Sequence, residues 1–417
     1  MGVQSDPSPS SSDEELSEFS DIDPSTPSLR RAGKKSTLRS FCLPDRWLAV
    51  VGFIITLAIV LGVALGTSVK RKKPRPETGH YPSDAPFREV IHSNFPDPAL
   101  LHHNGTWFVY ASNKNAGIVD TSRNIIETGS DPDNYAYLQF ATSENLMDWT
   151  ISAPDKAPLQ ELGEWAKNES IPEPRADVWA PDILARPDGI FVLYYSAAPS
   201  EDENVHCIGA SVGDTPWIQF KPESKSIACH KKQGGAIDPA PFVDHDGTVY
   251  LLYKEDGNNF GNGGDCRNTV PPLVDTPMFV QKMEKDGLTK SSDDPVKILD
   301  RTESDGPLVE APSLILNEGI YILFFSTGCT FDDSYTLKYA TSTNITGPYT
   351  RRGTILQTGT SGLYAPGSAS IVRDGKRWRM AFHARVFNEK GEGIRPMYIA
   401  DLQIKDTEIA LKEPENA

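Results

Sequence analysis

One sequence pattern recurs five times in the second part of the 417-residue chain and limits the folds open to it. Each copy has a proline-containing segment, an apolar run, a tight polar turn ending in glycine, and a second run rich in aromatic residues. Such turns between two apolar runs are the strongest short-range signal for a β-hairpin, and a third strand follows most of the hairpins. Repetition at this scale indicates a closed repeat fold, so we predict an all-β domain, a five-bladed β-propeller over residues 87–417. The five turns are Asn104-Gly105, Asp188-Gly189, Asp246-Gly247, Glu318-Gly319 and Asp374-Gly375.

Four of the five copies begin with an acidic residue, at Asp97, Asp182, Asp238 and Glu310, and the fifth carries Ser368 there. We interpret these positions as equivalent, at the start of the innermost strand of each blade. Innermost strands converge on the propeller axis, so the acids are expected to meet although they lie far apart in the sequence. The alternative is that each acid only caps its own turn, which is the more common role of a single Asp-Pro pair.

Carboxyl groups gathered in one place are suited to breaking a glycosidic bond. One carboxylic acid protonates the leaving oxygen, while a second carboxylate activates water or attacks the sugar. The acid has to keep its proton near neutral pH, and a third carboxylate nearby raises its pKa by like-charge repulsion. Asp97, Asp238 and Glu310 would form such a trio.

The order and composition of these motifs resemble glycoside hydrolase family 43, from about Phe87 to Ile404. The resemblance implies a five-bladed propeller that hydrolyses arabinose- or xylose-containing glycans with inversion of configuration. It implies Asp97 as general base, Asp238 as the residue that tunes the pKa of the acid, and Glu310 as general acid. The matching segments are Phe95-Pro96-Asp97-Pro98, Ile237-Asp238-Pro239-Ala240-Pro241-Phe242-Val243-Asp244 and Glu310-Ala311-Pro312.

The same resemblance implies further site residues. A Trp-Ala-Pro-Asp element makes Asp182 a candidate for substrate binding or pKa tuning. Many members place a histidine near the axis in the last blade, and His383 fits that place as a ligand of a structural calcium ion or of a water molecule, although a lone histidine is more often structural. No cofactor is required for the chemistry. Arg385 could bind substrate hydroxyls or pair with the carboxylates. Stacking on the sugar is expected from Phe95, Trp179 and Phe242, with packing in the propeller core as the equal alternative.

The first part of the chain has a different composition. Residues 1–29 contain many serines, prolines and acids but no Lys or Arg, and their low apolar content predicts disorder. Residues 47–69 carry no charge and are long enough for one transmembrane helix. We therefore predict a single-pass type II membrane protein whose C-terminal side is luminal or extracellular. Its parts are a disordered cytoplasmic tail over 1–46, a signal-anchor helix over 47–69, a stalk over 70–86 and the propeller over 87–417.

Glycosylation sequons and cysteines agree with this topology. Three sequons, at Asn104, Asn168 and Asn344, all follow the apolar segment. Four cysteines in the same part of the chain allow two disulfides in an oxidising compartment. Sequence order favours the pairs Cys207–Cys229 and Cys266–Cys329, and the lack of Cys-X-X-Cys spacing disfavours a zinc site.

The net charge of −16 argues against nucleic acid as a partner. The expected partners are an oligo- or polysaccharide substrate and a lipid bilayer. Two other functions stay open. Many type II Golgi glycosyltransferases share the tail, anchor and stem, and Asp244-His245-Asp246 has the letters of their metal-binding motif, although it falls in a predicted hairpin turn. The other is a non-catalytic, carbohydrate-binding propeller, which would be expected to lack one of the three acids.

Overall fold

The structure is a computed structural model that describes residues 82, 84–113, 118–119, 125–126, 136–167, 178–386 and 393–414. These residues form five antiparallel sheets arranged as blades, and in four of them the strands follow one another outwards from the axis in chain order. The predicted five-bladed β-propeller is thereby confirmed. The first strand among the described residues, β1 (Arg88–Ile91), belongs to the last blade. Blade one contains β2 (Ala99–His103), β3 (Thr106–Ser112), β6 (Leu138–Ser143) and β7 (Thr150–Ile151), with a separate hairpin of β4 (Ile118–Val119) and β5 (Ile125–Ile126).

The remaining blades repeat the same plan of four strands. Blade two contains β8 (Trp179–Ala185), β9 (Phe191–Ala197), β10 (Cys207–Gly213) and β11 (Lys221–Pro222); blade three contains β12 (Ala236–Val243), β13 (Val249–Glu255), β14 (Met278–Met283) and β15 (Val296–Leu299). Blade four contains β16 (Val309–Asn317), β17 (Ile320–Thr327), β18 (Thr336–Ser342) and β19 (Thr350–Gln357); blade five contains β20 (Tyr364–Asp374), β21 (Arg377–Arg385), β22 (Met397–Lys405) and β23 (Glu408–Lys412). Short 3₁₀ helices cover Pro154–Lys156, Lys231–Gln233, Gly257–Phe260, Glu303–Asp305 and Thr360–Gly362.

Both ends of the described chain contribute to blade five. β1 pairs with the first part of β22, where Arg88 lies opposite Ile399, and β23 pairs with the rest of β22, where Leu411 lies opposite Leu402. The outer position of this blade is thus shared by two strands. The ring is closed by hydrogen bonds between the first strand of the domain and a strand near its end.

Apolar residues fill the spaces between neighbouring blades. Strands in the middle of a blade are covered on both faces, and all seven residues of β9 are buried. A strand covered on both faces needs an unbroken apolar run rather than an alternating one, which explains sequences such as FVLYYSA. The buried side chains form one layer between each pair of adjacent blades, as where Leu252 of blade three packs with Leu323 of blade four.

Each innermost strand begins near a residue in the left-handed backbone conformation, and β20 contains two, Ala365 and Ser368, of which Ser368 makes the hydrogen bond to the preceding blade. In blades two to five the pairing register shifts there, as in a β-bulge. These positions are the true equivalents of the repeat, and only two of them are acidic, so the expectation that all four acids are equivalent is wrong. Glu310 comes one residue before the left-handed position of its blade, and Asp182 comes two residues after. The five equivalent residues are Asp97, Ala180, Asp238, Ala311 and Ser368, with φ between 41° and 58°.

Both predicted disulfides are present. Cys207–Cys229 lies within blade two, and Cys266–Cys329 joins the loop after β13 to the loop after β17. Asn104 and Asn344 are exposed, whereas Asn168 lies outside the described residues. Within the described part of the chain, no helix is both long and apolar enough to cross a membrane. The predicted tail, the predicted helix at 47–69 and most of the predicted stalk fall outside that part.

Candidate active site

A cavity of about 290 Å³ opens where the innermost strands of the five blades begin. Its volume is at the small end of the range for ligand-binding sites. The structure brings the three predicted acids, Asp97, Asp238 and Glu310, to this one cavity, and Trp179 and Ser368 line it from blades two and five. Left-handed backbone in a residue other than glycine is strained and concentrates at functional sites, as it does around this cavity.

Asp97 is held as a carboxylate on one side of the cavity. Its Oδ2 accepts a hydrogen bond of 2.6 Å from the Ser112 hydroxyl, and its Oδ1 lies 3.8 Å from the Arg395 guanidinium. Burial on its own would raise the pKa of Asp97, but the Arg395 cation and the hydroxyls of Ser112 and Ser368 outweigh burial and hold that pKa below its usual value. An ionised carboxylate at neutral pH can accept a proton from water.

Asp238 and Glu310 form the other side of the cavity. Asp238 is only 9% exposed, and its Oδ2 accepts the backbone N–H of Ala311 at 2.8 Å. Burial, and then the neighbouring Glu310 carboxylate, raise the pKa of Asp238 to about 8. Because interacting carboxyl groups titrate together, the Asp238–Glu310 pair keeps one proton at neutral pH. The site therefore has one ionised carboxylate facing a pair that can donate a proton.

Hydrogen bonds between successive blades fix the left-handed residues around the cavity. In four of the five blades, the backbone N–H of the left-handed residue donates to a side chain on the second strand of the preceding blade. The accepting side chains occupy equivalent positions in those strands. The bonds run from Asp97 N–H to His383 Nδ1 (3.0 Å), from Ala180 N–H to Ser112 Oγ (2.7 Å), from Asp238 N–H to Ser196 Oγ (3.2 Å) and from Ser368 N–H to Ser326 Oγ (2.8 Å). The fifth equivalent residue is Lys254, which lies opposite Ile237 as Ser196 lies opposite Trp179.

His383 therefore links blade five to blade one. Since Nδ1 accepts the N–H of Asp97, the proton of the neutral ring is on Nε2, which then donates rather than binds a cation. The described residues contain no group of three or more His, Cys, Asp or Glu side chains that could hold a metal ion. The side chains around His383 thus do not fit a calcium ion held by protein ligands. A water molecule accepting from the buried Nε2, the other predicted ligand, fits this tautomer.

Stability at acidic pH should depend on His383. Burial, and then the Arg395 cation, lower the pKa of His383 to about 3, whereas an unfolded histidine has a pKa of about 6.5. Between these values the unfolded chain binds the proton and the folded chain does not, so stability falls as pH falls, by about 1.4 kcal/mol per pH unit. His383→Asn keeps an acceptor near Nδ1 and should remove this part of the slope in thermal unfolding followed from pH 7 to pH 4. An unchanged slope would contradict the buried neutral ring, and exposed His245 provides the control, because His245→Asn should leave the acid slope in place.

The other predicted residues divide between cavity and core. Trp179 lines the cavity, with its ring stacked on His206 at 3.6 Å. Asp182 lies in an adjoining space of about 40 Å³ near the axis, where burial raises its pKa to about 7. Phe95 is fully buried between blades five and one, and Phe242 packs against Tyr321 between blades three and four, so both follow the core alternative. Arg385 is 2% exposed, donates to the Phe331 carbonyl at 2.9 Å and does not line the cavity.

Several residues around the cavity were not predicted, among them Arg395, Phe331 and Lys254. Arg395 precedes β22 and faces Asp97, Phe331 lies in the loop after β17, and Lys254 ends the apolar run of β13. Phe331 and Arg395 carry no sequence signal, since both lie in loops outside the repeat. Lys254 could have been found, because the repeat alignment places a lysine where three other blades have serine and one has histidine.

The glycosyltransferase-like motif has a structural role instead. Asp244 and Asp246 lie in the hairpin turn between β12 and β13, and Oδ2 of Asp244 accepts a hydrogen bond of 2.7 Å from the Tyr321 hydroxyl. Neither aspartate lines the cavity. The match to a metal-binding motif therefore reflects turn chemistry.

Comparisons of the sequence with known proteins agree with this site. The profile of Glycosyl hydrolases family 43 matches residues 87–406. Xylosidase/arabinosidase 43A of Humicola insolens is 26% identical over 344 residues, which cover 76% of this chain and 97% of the relative. Extracellular endo-α-(1→5)-L-arabinanase 2 of Bacillus subtilis (strain 168) is 24% identical over 391 residues, which cover 80% of this chain and 71% of the relative.

Solved structures share the fold. A thermostable family-43 glycoside hydrolase superposes with a TM-score of 0.60 at 23% identity, covering 78% of this chain and 95% of its own. A β-xylosidase/α-arabinofuranosidase from a compost microbial metagenome superposes with a TM-score of 0.56 at 23% identity, covering 80% and 99%. The family profile spans all five blades, and the residues that carry its motifs meet in one cavity. This chain belongs to glycosyl hydrolases family 43 and is a glycoside hydrolase.

Proposed function

We propose that this enzyme hydrolyses glycosidic bonds of arabinose- or xylose-containing glycans with inversion of configuration. The observation that carries the proposal is the division of one cavity between an ionised carboxylate, Asp97, and a proton-holding pair, Asp238 and Glu310. The substrate class is supported by the related xylosidase/arabinosidase and arabinanase named above. The protein's own carboxyl groups supply the chemistry, so no cofactor enters the reaction.

Each acid has one role in the proposed reaction. Asp97 takes a proton from water while the water oxygen bonds to the anomeric carbon. The glycosidic C–O bond breaks on the opposite face, and the leaving oxygen takes its proton from Glu310. Asp238 repels negative charge on Glu310 and so favours the protonated acid. Proton transfer from Asp97 to solvent, and from solvent to Glu310, restores the enzyme.

Aryl glycosides test this function directly. The full-length protein should release aryl alcohol from arabinofuranosides or xylopyranosides, and NMR recorded during the first turnovers should show a product anomer opposite to that of the substrate. Retention of configuration would mean that a carboxylate attacks the sugar and would remove Asp97 from the base role. Turnover only of aryl glycosides of other sugars would leave the hydrolase intact but overturn the proposed substrate class.

We further infer that residues 47–69 anchor the enzyme as a type II membrane protein with a luminal or extracellular propeller. The uncharged segment, two disulfides and the exposed sequons at Asn104 and Asn344 support this placement. Glycan removal should lower the apparent mass of the expressed protein, and intact vesicles should protect the propeller from added protease. Unglycosylated protein whose propeller is digested from the cytosolic side would contradict the topology.

A further inference from the structure

Lys254 is the exception among the five equivalent residues that face the next blade. In the other four blades, this residue accepts the N–H of the left-handed residue beside it. A lysine ammonium has three donors and no acceptor, so Lys254 cannot accept from Ala311. The Asp238 carboxylate accepts the Ala311 N–H at 2.8 Å instead. Because Lys254 cannot accept the Ala311 N–H, this backbone donor is available to the Asp238 carboxylate and fixes it in place.

The ammonium group itself contacts the general acid. Lys254 is fully buried, and its Nζ lies 3.2 Å from Oε2 of Glu310 and 2.9 Å from Oδ1 of Asp256. A buried ammonium needs such partners to offset its loss of hydration. Glu310 is the second residue of β16, and its Oε2 is held by the Lys254 ammonium, so the ion pair orients its carboxyl group.

The charges around Lys254 come from three elements. Asp256 follows β13 on the same blade, Asp238 lies on the neighbouring β12, and Glu310 lies on β16 of the next blade. Asp97 and the Tyr335 hydroxyl face the acid pair from across the cavity. Lys254 is the nearest cation to the proton-holding pair, and a cation favours the ionised form of a carboxyl group.

We propose that Lys254 is a positioning residue that orients the Glu310 carboxyl group and sets the upper pH limit of the enzyme. The proposal rests on the function proposed above, in which Glu310 is the general acid. With the ammonium in place, the Asp238–Glu310 pair gives up its proton at a lower pH than it would without it. The ammonium thus makes the proton easier to transfer to the leaving group, at the cost of a narrower pH range.

The test replaces Lys254 by the residue that three equivalent positions already carry. Lys254→Ser should lower kcat on an alkyl or oligosaccharide substrate by about tenfold or more, since a general acid is worth about 10²–10⁴-fold and its orientation is partly lost, with little change in KM. The alkaline limb of the kcat/KM profile should move up by about one pH unit, because one nearby charge shifts a carboxyl pKa by about that amount. Lys254→Arg keeps the charge and should keep the limb in place. Asp238→Asn removes a negative charge instead and should move the limb down.

The controls separate this role from general stability. Lys338 forms a comparable ion pair, at 3.0 Å, with the buried Asp305 away from the cavity, so Lys338→Ser should lower the melting temperature without moving the limb. If Lys254→Ser does not fold, Asp256→Asn still tests the cluster, because losing this anion should move the limb down. Active enzyme with an unmoved limb in Lys254→Ser or, failing that variant, in Asp256→Asn would overturn the inference alone. Wild-type enzyme without activity on any glycoside would instead overturn the proposed function.

Discussion

Replacing Asp97 by asparagine should reduce kcat by about 10²–10⁴-fold on every substrate. Asparagine tolerates the left-handed backbone of this position better than alanine does, and its side-chain oxygen can still accept from Ser112, so the fold should survive. What disappears is the carboxylate that takes the proton from water. Since water has to be activated whatever the leaving group is, activated aryl glycosides should lose as much activity as oligosaccharides.

Rates measured across a series of leaving groups check this expectation. A uniform loss with unchanged melting temperature is the expected result for Asp97→Asn. If good leaving groups regained most of the wild-type rate, Asp97 would be assisting departure rather than attack, and the two acids would have to exchange roles. Ser342→Ala, a substitution in blade four away from the cavity, is the control and should leave the rates unchanged across the series.

Replacing Glu310 by glutamine should give the opposite dependence on the leaving group. Glutamine has the shape of the acid but no proton of comparable acidity, so a poor leaving group such as an alkyl alcohol or a sugar should lose about 10²–10⁴-fold in kcat/KM. Dinitrophenolate leaves as a stable anion without protonation. A dinitrophenyl glycoside should therefore be hydrolysed by Glu310→Gln at close to the wild-type rate.

The logarithm of the rate plotted against the leaving-group pKa measures this difference. The wild-type line should be shallow and the Glu310→Gln line steep, and the two lines should converge at the most acidic leaving groups. Parallel lines would show that Glu310 is not the proton donor. Asp97→Asn, analysed with the same series, should give a line parallel to that of the wild type.

The fold was predictable because its evidence is repeated. Five hairpin turns and five apolar second strands each predict the same kind of blade, so misreading one copy does not change the predicted fold. The repeat also indicated which segments meet, but not how their side chains are placed. Glu310 and Asp97 look equivalent in the sequence, yet a bulge shifts the carboxyl of Glu310 by one residue, and only the backbone shows that offset.

Residues outside the repeat were harder to place. Phe95 lies two residues before Asp97, in the segment that precedes β2, and its fully buried ring packs in the layer between blades five and one. Phe331, an aromatic residue that was not predicted, does line the cavity, and it lies two residues after Cys329 of the Cys266–Cys329 disulfide. Arg385 and Arg395 show the same limit, since the predicted cation, Arg385, is buried away from the cavity, whereas Arg395 faces Asp97.

The strand that closes the ring has a consequence for how the chain reaches its native state. β1 is synthesised before every other described strand but pairs with β22, some three hundred residues later in the chain. Contacts so distant in sequence are slow to form because loop closure costs entropy before they stabilise anything. The nascent propeller must therefore wait with an unpaired strand at one end, and an unpaired edge invites association with other chains. Synthesis at about 5–20 residues per second makes this wait tens of seconds, during which β1 has no partner on β22.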